Sequence, residues 1–417
     1  MTTDAPALLA HQVPLALDGA ATAWILVSTA LVLMMTLPGL ALFYGGMVRK
    51  KNIISTIAHS TAALMVVTVL WFIVGYSLSF GTGGATTNEF IGGVEVLFLN
   101  GVTIDTAHSL APALPEYLWI AYQLTFAIIT PAIIAGAFAE RMKFSASVLF
   151  FSLWHLIVYA PICHQVWGGG WLGGWGVLDF AGGAVVHVNA GVAGLVCALV
   201  LGPRHGFGRD NMAPANLAYT AIGTGLLFVG WMGFNAGSAW AADGIAAVAA
   251  LNTMIAPAAA GLGWMVVEWI DQRRPTLLGL LSGIVGGLVA VTPAAGFVDP
   301  KGAFLIGLIG GPACYAGAVW LKHALKYDDS LDAFGIHGVG GIVGAVLTGV
   351  VATTTINAIS DGADVIKQIL GLLAVMAWSA VGTFAVLMVC RFTTGLRVSR
   401  DSEVEGLDYS QHGESTH

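Results

Sequence analysis

The feature that most constrains this chain is a succession of long apolar segments joined by short charged connections. A helix needs about 20 apolar residues to cross a ~30 Å hydrocarbon layer, and eleven segments reach or approach that length. They cover approximately residues 22–44, 52–80, 117–138, 143–163, 183–201, 216–239, 246–270, 277–292, 302–322, 335–351 and 366–391. Only 9% of the residues are charged, against roughly 25% in a soluble domain, which excludes a water-soluble globule. Continuous apolar runs also exclude a β-barrel, whose strands alternate apolar and polar residues. The sequence therefore predicts an all-α polytopic membrane protein with eleven transmembrane helices.

The basic residues set the predicted orientation. Of the 16 Lys and Arg residues, 14 fall in every second connection. These are Arg49, Lys50, Lys51, Arg141, Lys143, Arg204, Arg209, Arg273, Arg274, Lys322, Lys326, Arg391, Arg397 and Arg400. By the positive-inside rule, we expect a multi-pass protein of the cell (inner) membrane with its N-terminus outside and its C-terminus in the cytoplasm. The first 48 residues lack Lys and Arg and show no secretory signal pattern, so either this neutral tail is translocated directly or a signal peptide precedes the sequence.

An internal repeat relates the fifth and tenth segments. Aligning His187 with His337 brings H-V-N-A-G-V-A-G over H-G-V-G-G-I-V-G, so each histidine is followed by glycine at +4 and +7. The two copies are five segments apart and therefore cross the membrane in opposite senses. This pattern predicts an inverted repeat of helices 1–5 and 6–10 with a peripheral eleventh helix, and a functional site near the bilayer midplane.

The paired histidines are the first candidate pore residues. Positions i, i+4 and i+7 share a helix face, so each imidazole projects from a face lined by glycine, which permits close helix approach. An ionisable residue inside a span indicates a functional site, although a lone histidine is as often an interhelical hydrogen-bonding residue. Haem ligation by the pair is disfavoured because glycine draws the two helices together. No nucleophile–base set favours an enzyme.

Two aspartates precede these helices. Asp332 is interpreted as a cap of the tenth helix, because an aspartate there can accept hydrogen bonds from free backbone N–H groups. For Asp179, on the outer face, two interpretations stay open: a helix cap and a residue that attracts a cation.

Aromatic residues form a second constellation. Those that share helix faces or follow the fourth segment are Tyr122, Phe126, Trp231 and Phe234, together with Ser238 and Trp167. Each alone is more often a packing or interfacial residue. Together, aromatic faces with a hydroxyl suit an ammonium-type cation, which gains up to ~2 kcal/mol from a desolvated cation–π contact.

Six motifs carry a family resemblance. They are A-L-F-Y-G-G at 41–46, G-A-F-A-E-R at 136–141, V-W-G-G-G at 166–170, D-F-A-G-G at 179–183, G-W-M-G-F-N-A-G-S at 230–238 and F-G-I-H-G at 334–338. On these motifs the chain resembles the bacterial Amt branch of the ammonium transporter family over nearly its whole length. The resemblance implies eleven helices in two inverted five-helix halves, a pore in each protomer and a homotrimer. We expect no cofactor, no metal and no nucleic-acid partner.

The resemblance also implies roles for individual positions. Trp167, Phe126 and Ser238 are similar to the outer recruitment site, with Asp179 close beneath it, and Phe126 with Phe234 is similar to the stacked rings of the gate. The implied pore positions are His187, His337, Trp231, Thr292, Tyr122 and Gln123. Tyr122 stands where some relatives carry phenylalanine, and Met232 stands where an aromatic residue is common, which bears on the dynamics of the gate.

The C-terminal residues resemble the family's cytoplasmic regulatory tail. The segments G-L-R-V at 395–398, E-G-L-D at 405–408 and H-G-E at 412–414 carry this likeness. It implies a membrane domain over residues 1–391, a regulatory tail over 392–417 and a PII-type signalling protein as partner.

A transport mechanism follows from elementary electrostatics. Moving a bare ion into a medium of low dielectric costs on the order of 20 kcal/mol in the idealised limit, and no carboxylate or carbonyl ring in these segments is suited to replace its water. Ammonium can instead give up a proton. The hypothesis is that ammonium binds outside, is deprotonated and passes the twin histidines as ammonia. The alternative is an ammonium sensor, or transceptor, that signals through a PII-type partner.

Overall fold

The computed structural model describes residues 8–416, and within them eleven apolar helices occur where the sequence predicts them. In chain order, α1–α11 are Gly19–Met47, Lys50–Phe80, Glu116–Phe138, Phe144–Trp175, Gly183–Leu201, Leu217–Gly237, Gly244–Gln272, Leu277–Val291, Pro300–Leu325, Phe334–Val351 and Val365–Thr393. Ten are long and apolar enough to cross a membrane, whereas α8 has only 15 residues. The all-α polytopic membrane fold is confirmed.

The face predicted to lie outside, called the outer face below, carries a small sheet that closes over the helices. Strands β1 (Gln12–Pro14) and β2 (Thr106–His108) pair antiparallel, with Gln12 opposite His108. The fully buried carboxylate of Glu116, at the start of α3, accepts hydrogen bonds from Gln12 Nε2 at 2.7 Å and from the Tyr76 hydroxyl at 3.0 Å. The outer segment between α2 and α3 is thereby tied to the helical body.

The centre of the molecule is the contact between α5 and α10. A Cβ added to Gly191 would lie 2.3 Å from the backbone nitrogen of Gly338, and one added to Gly341 would lie 3.2 Å from that of Val188. The repeat offset of 150 residues converts one contact into the other, because it maps 188 onto 338 and 191 onto 341. The two copies therefore pack through equivalent surfaces, as an inverted repeat requires.

The eleventh helix lies against the outside of this repeat. Trp154 of α4 donates to Thr383 at 2.9 Å, and Ser379 donates to the carbonyl of Asn189 of α5 at 2.8 Å. Since α11 has no counterpart in the repeat, its peripheral position agrees with the sequence prediction.

Candidate functional site

The two repeat histidines meet at the α5–α10 contact. Their Nδ1 atoms are 3.2 Å apart, their ring centroids are 5.2 Å apart and both side chains are buried. The glycines at +4 and +7 explain this approach, because the backbones touch where those glycines lie. Direct contact between the rings leaves no space for a macrocycle between them, which argues against haem ligation.

Each histidine lies in a π-helical turn that the sequence pattern did not reveal. The turns are Gly183–Val188, containing His187, and Phe334–Gly338, containing His337. In the first, the His187 N–H donates to the Gly182 carbonyl five residues earlier, at 2.9 Å. Such single wide turns concentrate at functional sites. Here they occur at equivalent positions of the two copies and set the direction of both imidazoles.

Each of these helices begins at a buried aspartate. The prediction that Asp332 caps α10 is wrong, as the next contacts show, whereas Asp179 does cap α5. Both oxygens of Asp179 accept backbone hydrogen bonds, Oδ1 from Gly182 and Gly183 at 2.9 and 2.6 Å, and Oδ2 from Ala184 and Val185 at 2.9 and 3.0 Å. Of the two interpretations that were open for Asp179, the geometry directly supports the cap.

The tenth helix is capped by Asp329 rather than by Asp332. Asp329 accepts from the N–H groups of Ala333 and Phe334 at 3.1 and 2.7 Å, whereas Asp332 pairs with Lys322. The wide first turn places its free N–H groups within reach of a carboxylate four or five residues earlier. Burial, together with the charge of Asp332, raises the pKa of Asp329 to about 6. The repeat offset could have predicted this cap from the sequence, because an offset of 150 residues maps Asp179 onto Asp329.

Aromatic rings form a column that ends at the histidines. Phe126 meets Trp167 edge to face at 5.7 Å and meets Phe234 at 4.4 Å between ring centroids. His187 stacks on Phe234 at 5.8 Å and on Trp231 at 5.4 Å. The structure thus joins in one continuous contact five of the residues predicted for recruitment, gate and pore, namely Trp167, Phe126, Phe234, His187 and Trp231.

A depression of about 270 Å³ opens at the outer end of this column. Trp167, Ser238 and Asp179 line it, and both Trp167 and Ser238 are partly exposed. The Trp167 indole N–H donates to the carbonyl of Asp179 at 2.9 Å, which fixes the ring at the rim. Trp240 and Asn357 also line the depression; the sequence pattern gave no indication of either.

The remaining predicted pore residues support these rings. Trp231 Nε1 donates to Thr292 Oγ1 at 2.9 Å, and the Tyr122 hydroxyl lies 2.9 Å from the carbonyl of Gly233 and 3.3 Å from Ser238 Oγ. Gln123 is buried next to Tyr122, and its Oε1 has no hydrogen-bond partner among residues 8–416.

The tail packs beneath the helices through two short helices, α12 (Arg400–Glu405) and α13 (Leu407–His412). Asp408 accepts from the Ser55 N–H at the start of α2, and Asn52 accepts from the Leu407 N–H at the start of α13, each at 2.8 Å. Each helix therefore receives a cap from the other.

Beside the tail lies a buried charge network. Arg204 binds Asp328 at 2.8 Å and Glu140 at 3.3 Å. Burial alone would raise the pKa of Asp328, but hydrogen bonds and charge from Arg204 outweigh it and hold that pKa below its usual value.

Comparison with known proteins agrees with this arrangement. Residues 23–417 match the family model described as the Ammonium Transporter Family. An ammonium transporter of Bacillus subtilis is 47% identical, over 93% of this chain and 96% of its own length. One from Aquifex aeolicus is 48% identical, over 96% of this chain and 94% of its own length.

Solved structures give the same result. The crystal structure of Saccharomyces cerevisiae Mep2 superposes with a TM-score of 0.84 at 38% identity and covers 92% of this chain and 88% of that one. A sensor Amt protein superposes with a TM-score of 0.87 at 28% identity and covers 94% of this chain and 98% of that one. From a family match over nearly the whole chain, close relatives of the same length and a shared fold, we conclude that the protein belongs to the ammonium transporter family.

Proposed function

We propose that this transporter recruits ammonium at the outer depression, removes its proton and conducts ammonia past the twin histidines. Recruitment is supported by the face of Trp167 and the hydroxyl of Ser238, which line one depression. A cation–π contact adds up to ~2 kcal/mol when desolvated. Asp179 acts indirectly, because its carboxylate is occupied by backbone amides and its carbonyl holds the Trp167 ring.

The contact between the two imidazoles is the observation that carries the proposal. Since the two Nδ1 atoms are 3.2 Å apart, one must donate a proton and the other accept it. The ring that donates at Nδ1 has a bare Nε2, and the ring that accepts at Nδ1 carries its proton on Nε2. The pair therefore offers one acceptor and one donor to its surroundings. Ammonia, which has both N–H groups and a lone pair, suits that arrangement.

Selectivity follows from the neutral walls. The side chains in contact with the histidine pair and above it are aromatic or hydroxylic, namely Phe126, Phe234, Trp231 and Thr292. Potassium cannot shed its charge and meets the full desolvation penalty of an apolar passage, on the order of 20 kcal/mol in the idealised limit. Ammonium avoids that penalty by leaving its proton behind or by passing it to the histidines.

The test is current measurement on proteoliposomes adsorbed to a solid-supported membrane. The protein and a His187→Ala/His337→Ala variant are challenged with ammonium and with potassium, and uptake of labelled methylammonium is followed in parallel. We expect the variant to keep labelled uptake while losing the ammonium-evoked current and its exclusion of potassium.

His155→Ala is the matched control. This histidine is also buried in a π-helical turn, in α4, but it stacks on Tyr159 at 5.6 Å and is absent from the aromatic column. The control should retain both current and selectivity. Unchanged current and unchanged selectivity in the double variant would refute the proposed role of the pair.

Orientation and assembly belong to the same proposal. The tail lies at the same end of the molecule as three basic connections. Three hydrogen bonds to backbone carbonyls place it there, from Lys51 to Val404, from Lys143 to Thr394 and from Arg397 to Leu201. By the positive-inside rule that end faces the cytoplasm, in the inner membrane. Exposed apolar side chains on α1 and α6, among them Leu26 and Val229, need lipid or a neighbouring protomer around them. The homotrimer is proposed from the family resemblance.

A second function, ammonium sensing through a PII-type protein, is favoured by the docked tail. Residues 392–417 act in this proposal as a regulatory segment that a partner displaces or clamps. The name of one structural neighbour, a sensor Amt protein, supports the same alternative. Liposome flux separates the two, because a pure sensor gives none without its partner.

A further inference from the structure

His164 makes two hydrogen bonds that a neutral imidazole cannot make together. It is buried near the outer end of α4, three residues before Trp167. Its Nδ1 lies 3.0 Å from the carbonyl oxygen of Ser79, and its Nε2 lies 2.7 Å from that of Asn88. Carbonyl oxygens only accept, and a neutral imidazole carries one N–H, so both bonds require the protonated ring. Hydrogen bonds from a charged donor are also the stronger ones.

The surroundings act on this positive charge in both directions. Burial disfavours the protonated ring, whereas the carbonyl oxygens of Asn88 and Ser79 and the negative charge of Glu95, in the outer segment, favour it. The other titratable groups on the elements packed around the site are Glu89 of the outer segment, His108 of β2 and His11 before β1. Ser79, at the end of α2, contributes only its carbonyl.

The bond to Asn88 is one of three that hold an outer strap, residues 88–90, across the end of α4. The carbonyl of Glu89 accepts from the Trp171 N–H at 3.0 Å, and the carbonyl of Phe90 accepts from Gln165 Nε2 at 3.3 Å. His164 supplies the third of these contacts and the shortest one.

The strap encloses the glycine turn that carries Trp167. A Cβ added to Gly168 would lie 2.1 Å from the Ser79 carbonyl oxygen and 2.7 Å from His164 Nδ1. The turn therefore has no free space on the side of His164, and the position of this ring fixes where Trp167 leaves the helix.

We infer that His164 is a positioning residue for ammonium recruitment: as an imidazolium it clamps α2, α4 and the outer strap together and so holds Trp167 at the rim. Loss of its proton breaks one of the two bonds and loosens the rim. This inference rests on the proposed recruitment role of Trp167. Its functional consequence is an apparent affinity for ammonium that falls in alkaline medium.

Two amide substitutions separate the two bonds. In His164→Asn the amide nitrogen takes the place of Nδ1, so this variant keeps the bond to Ser79. In His164→Gln the amide nitrogen takes the place of Nε2, so this variant keeps the bond to Asn88 of the strap. We expect the KM for methylammonium uptake at about pH 5 to rise about fivefold in His164→Asn and less in His164→Gln, with little change in maximal rate. Retained trimer stability in detergent identifies folded variants, and His155→Gln, in the same helix, is the control.

The pH profile tests the protonated ring. Neither amide titrates, so the ratio of variant to wild-type KM, followed between about pH 5 and pH 9, is expected to fall towards one as the wild-type imidazole loses its proton. Taking this ratio cancels the titration of the substrate. A ratio that stays constant over this range would show a merely structural histidine and would overturn the inference.

A double-mutant cycle with Trp167→Leu separates this inference from the proposed function. If His164 acts through Trp167, His164→Asn has no further effect on KM once the indole is absent. If the effects of the two substitutions on KM are fully additive, the inference is overturned. It is also overturned if His164→Asn leaves KM unaffected while Trp167→Leu raises it. An unaffected KM in Trp167→Leu would instead contradict the recruitment role itself.

Discussion

Trp231 and Thr292 are joined by a single hydrogen bond, and that bond fixes the ring on which His187 stacks. The N–H of Trp231 donates at 2.9 Å to the Thr292 hydroxyl, which in turn donates to the carbonyl of Leu288 at 2.7 Å. The threonine hydroxyl thus uses both its donor and its acceptor capacity. An aromatic column assembled from such bonds is held more tightly than stacking alone would hold it.

Trp231→Phe and Thr292→Val should each lower the free energy of unfolding by about 1 kcal/mol, the usual contribution of such a hydrogen bond. The double variant is expected to lose less than the sum, because either substitution already removes the bond. Thermal unfolding of the purified protein measures all three. Strict additivity would mean that the bond contributes nothing.

The hydroxyl of Tyr122 has a comparable role beside Phe234, a ring of the proposed gate. It contacts the carbonyls of Gly233 and Phe234 at 2.9 and 3.1 Å, close to the ring of Phe234. Tyr122→Phe should keep ammonium uptake within about twofold and cost about 1 kcal/mol of stability. Uptake and thermal unfolding on one preparation check this, and abolished uptake would assign the hydroxyl a direct part in conduction.

At the scale of helices, the glycines between α5 and α10 determine how far apart the histidines lie. Gly191→Ala places a Cβ 2.3 Å from a backbone nitrogen, so one helix must move. Overpacking of this kind typically costs 1–3 kcal/mol, and we expect reduced ammonium uptake with it. Gly225→Ala is the control, since an added Cβ meets nothing within 4 Å there. Equal effects of the two changes would contradict the packing argument.

The caps give a second prediction at this scale. Asp329→Ala removes the acceptor for two N–H groups at the start of α10, and loss of such a cap costs about 1–2 kcal/mol. Asp332→Gly suits the left-handed backbone of this residue, at φ 60°, and removes only a partly exposed ion pair with Lys322, worth at most ~1 kcal/mol. Asp329→Ala should therefore have the lower melting temperature. The reverse order would restore Asp332 as the cap.

Sequence patterns predicted the helices and their repeat well, because hydropathy and the glycine spacing are local signals. The π-helical turns at His187 and His337 were not predictable, because a segment buried on every side gives no sign in its sequence of where one of its turns widens. Asp332 was mistaken for the cap because an ordinary helix start was assumed. Trp240 and Asn357 reach the outer depression only through the tertiary fold, so no spacing rule points to them.

At the scale of the whole molecule, fixed charge is confined to the ends. The Arg204 network with Asp328 and Glu140 lies beside the tail, whereas the aromatic column and the histidine pair are neutral in side-chain type. Concentrated charge at one end agrees with the proposed orientation and anchors the tail, and a column of neutral side chains is what the proposed conduction of ammonia requires.

The tail and α2 cap each other, so a single substitution at either cap can test how firmly the tail is docked. Asp408→Ala removes the acceptor for the Ser55 N–H, and Asn52→Ala removes the acceptor for the Leu407 N–H. Because these bonds connect the tail to α2, either change should speed protease cleavage within residues 400–416 several-fold, since about 1 kcal/mol of lost docking raises the open population about fivefold. Asp401→Ala, at an exposed position of the same tail, should leave the rate unchanged.

If tail docking also forms the surface for a PII-type protein, Asp408→Ala weakens that binding while Asp401→Ala does not, and equal binding by the two variants would place the partner elsewhere.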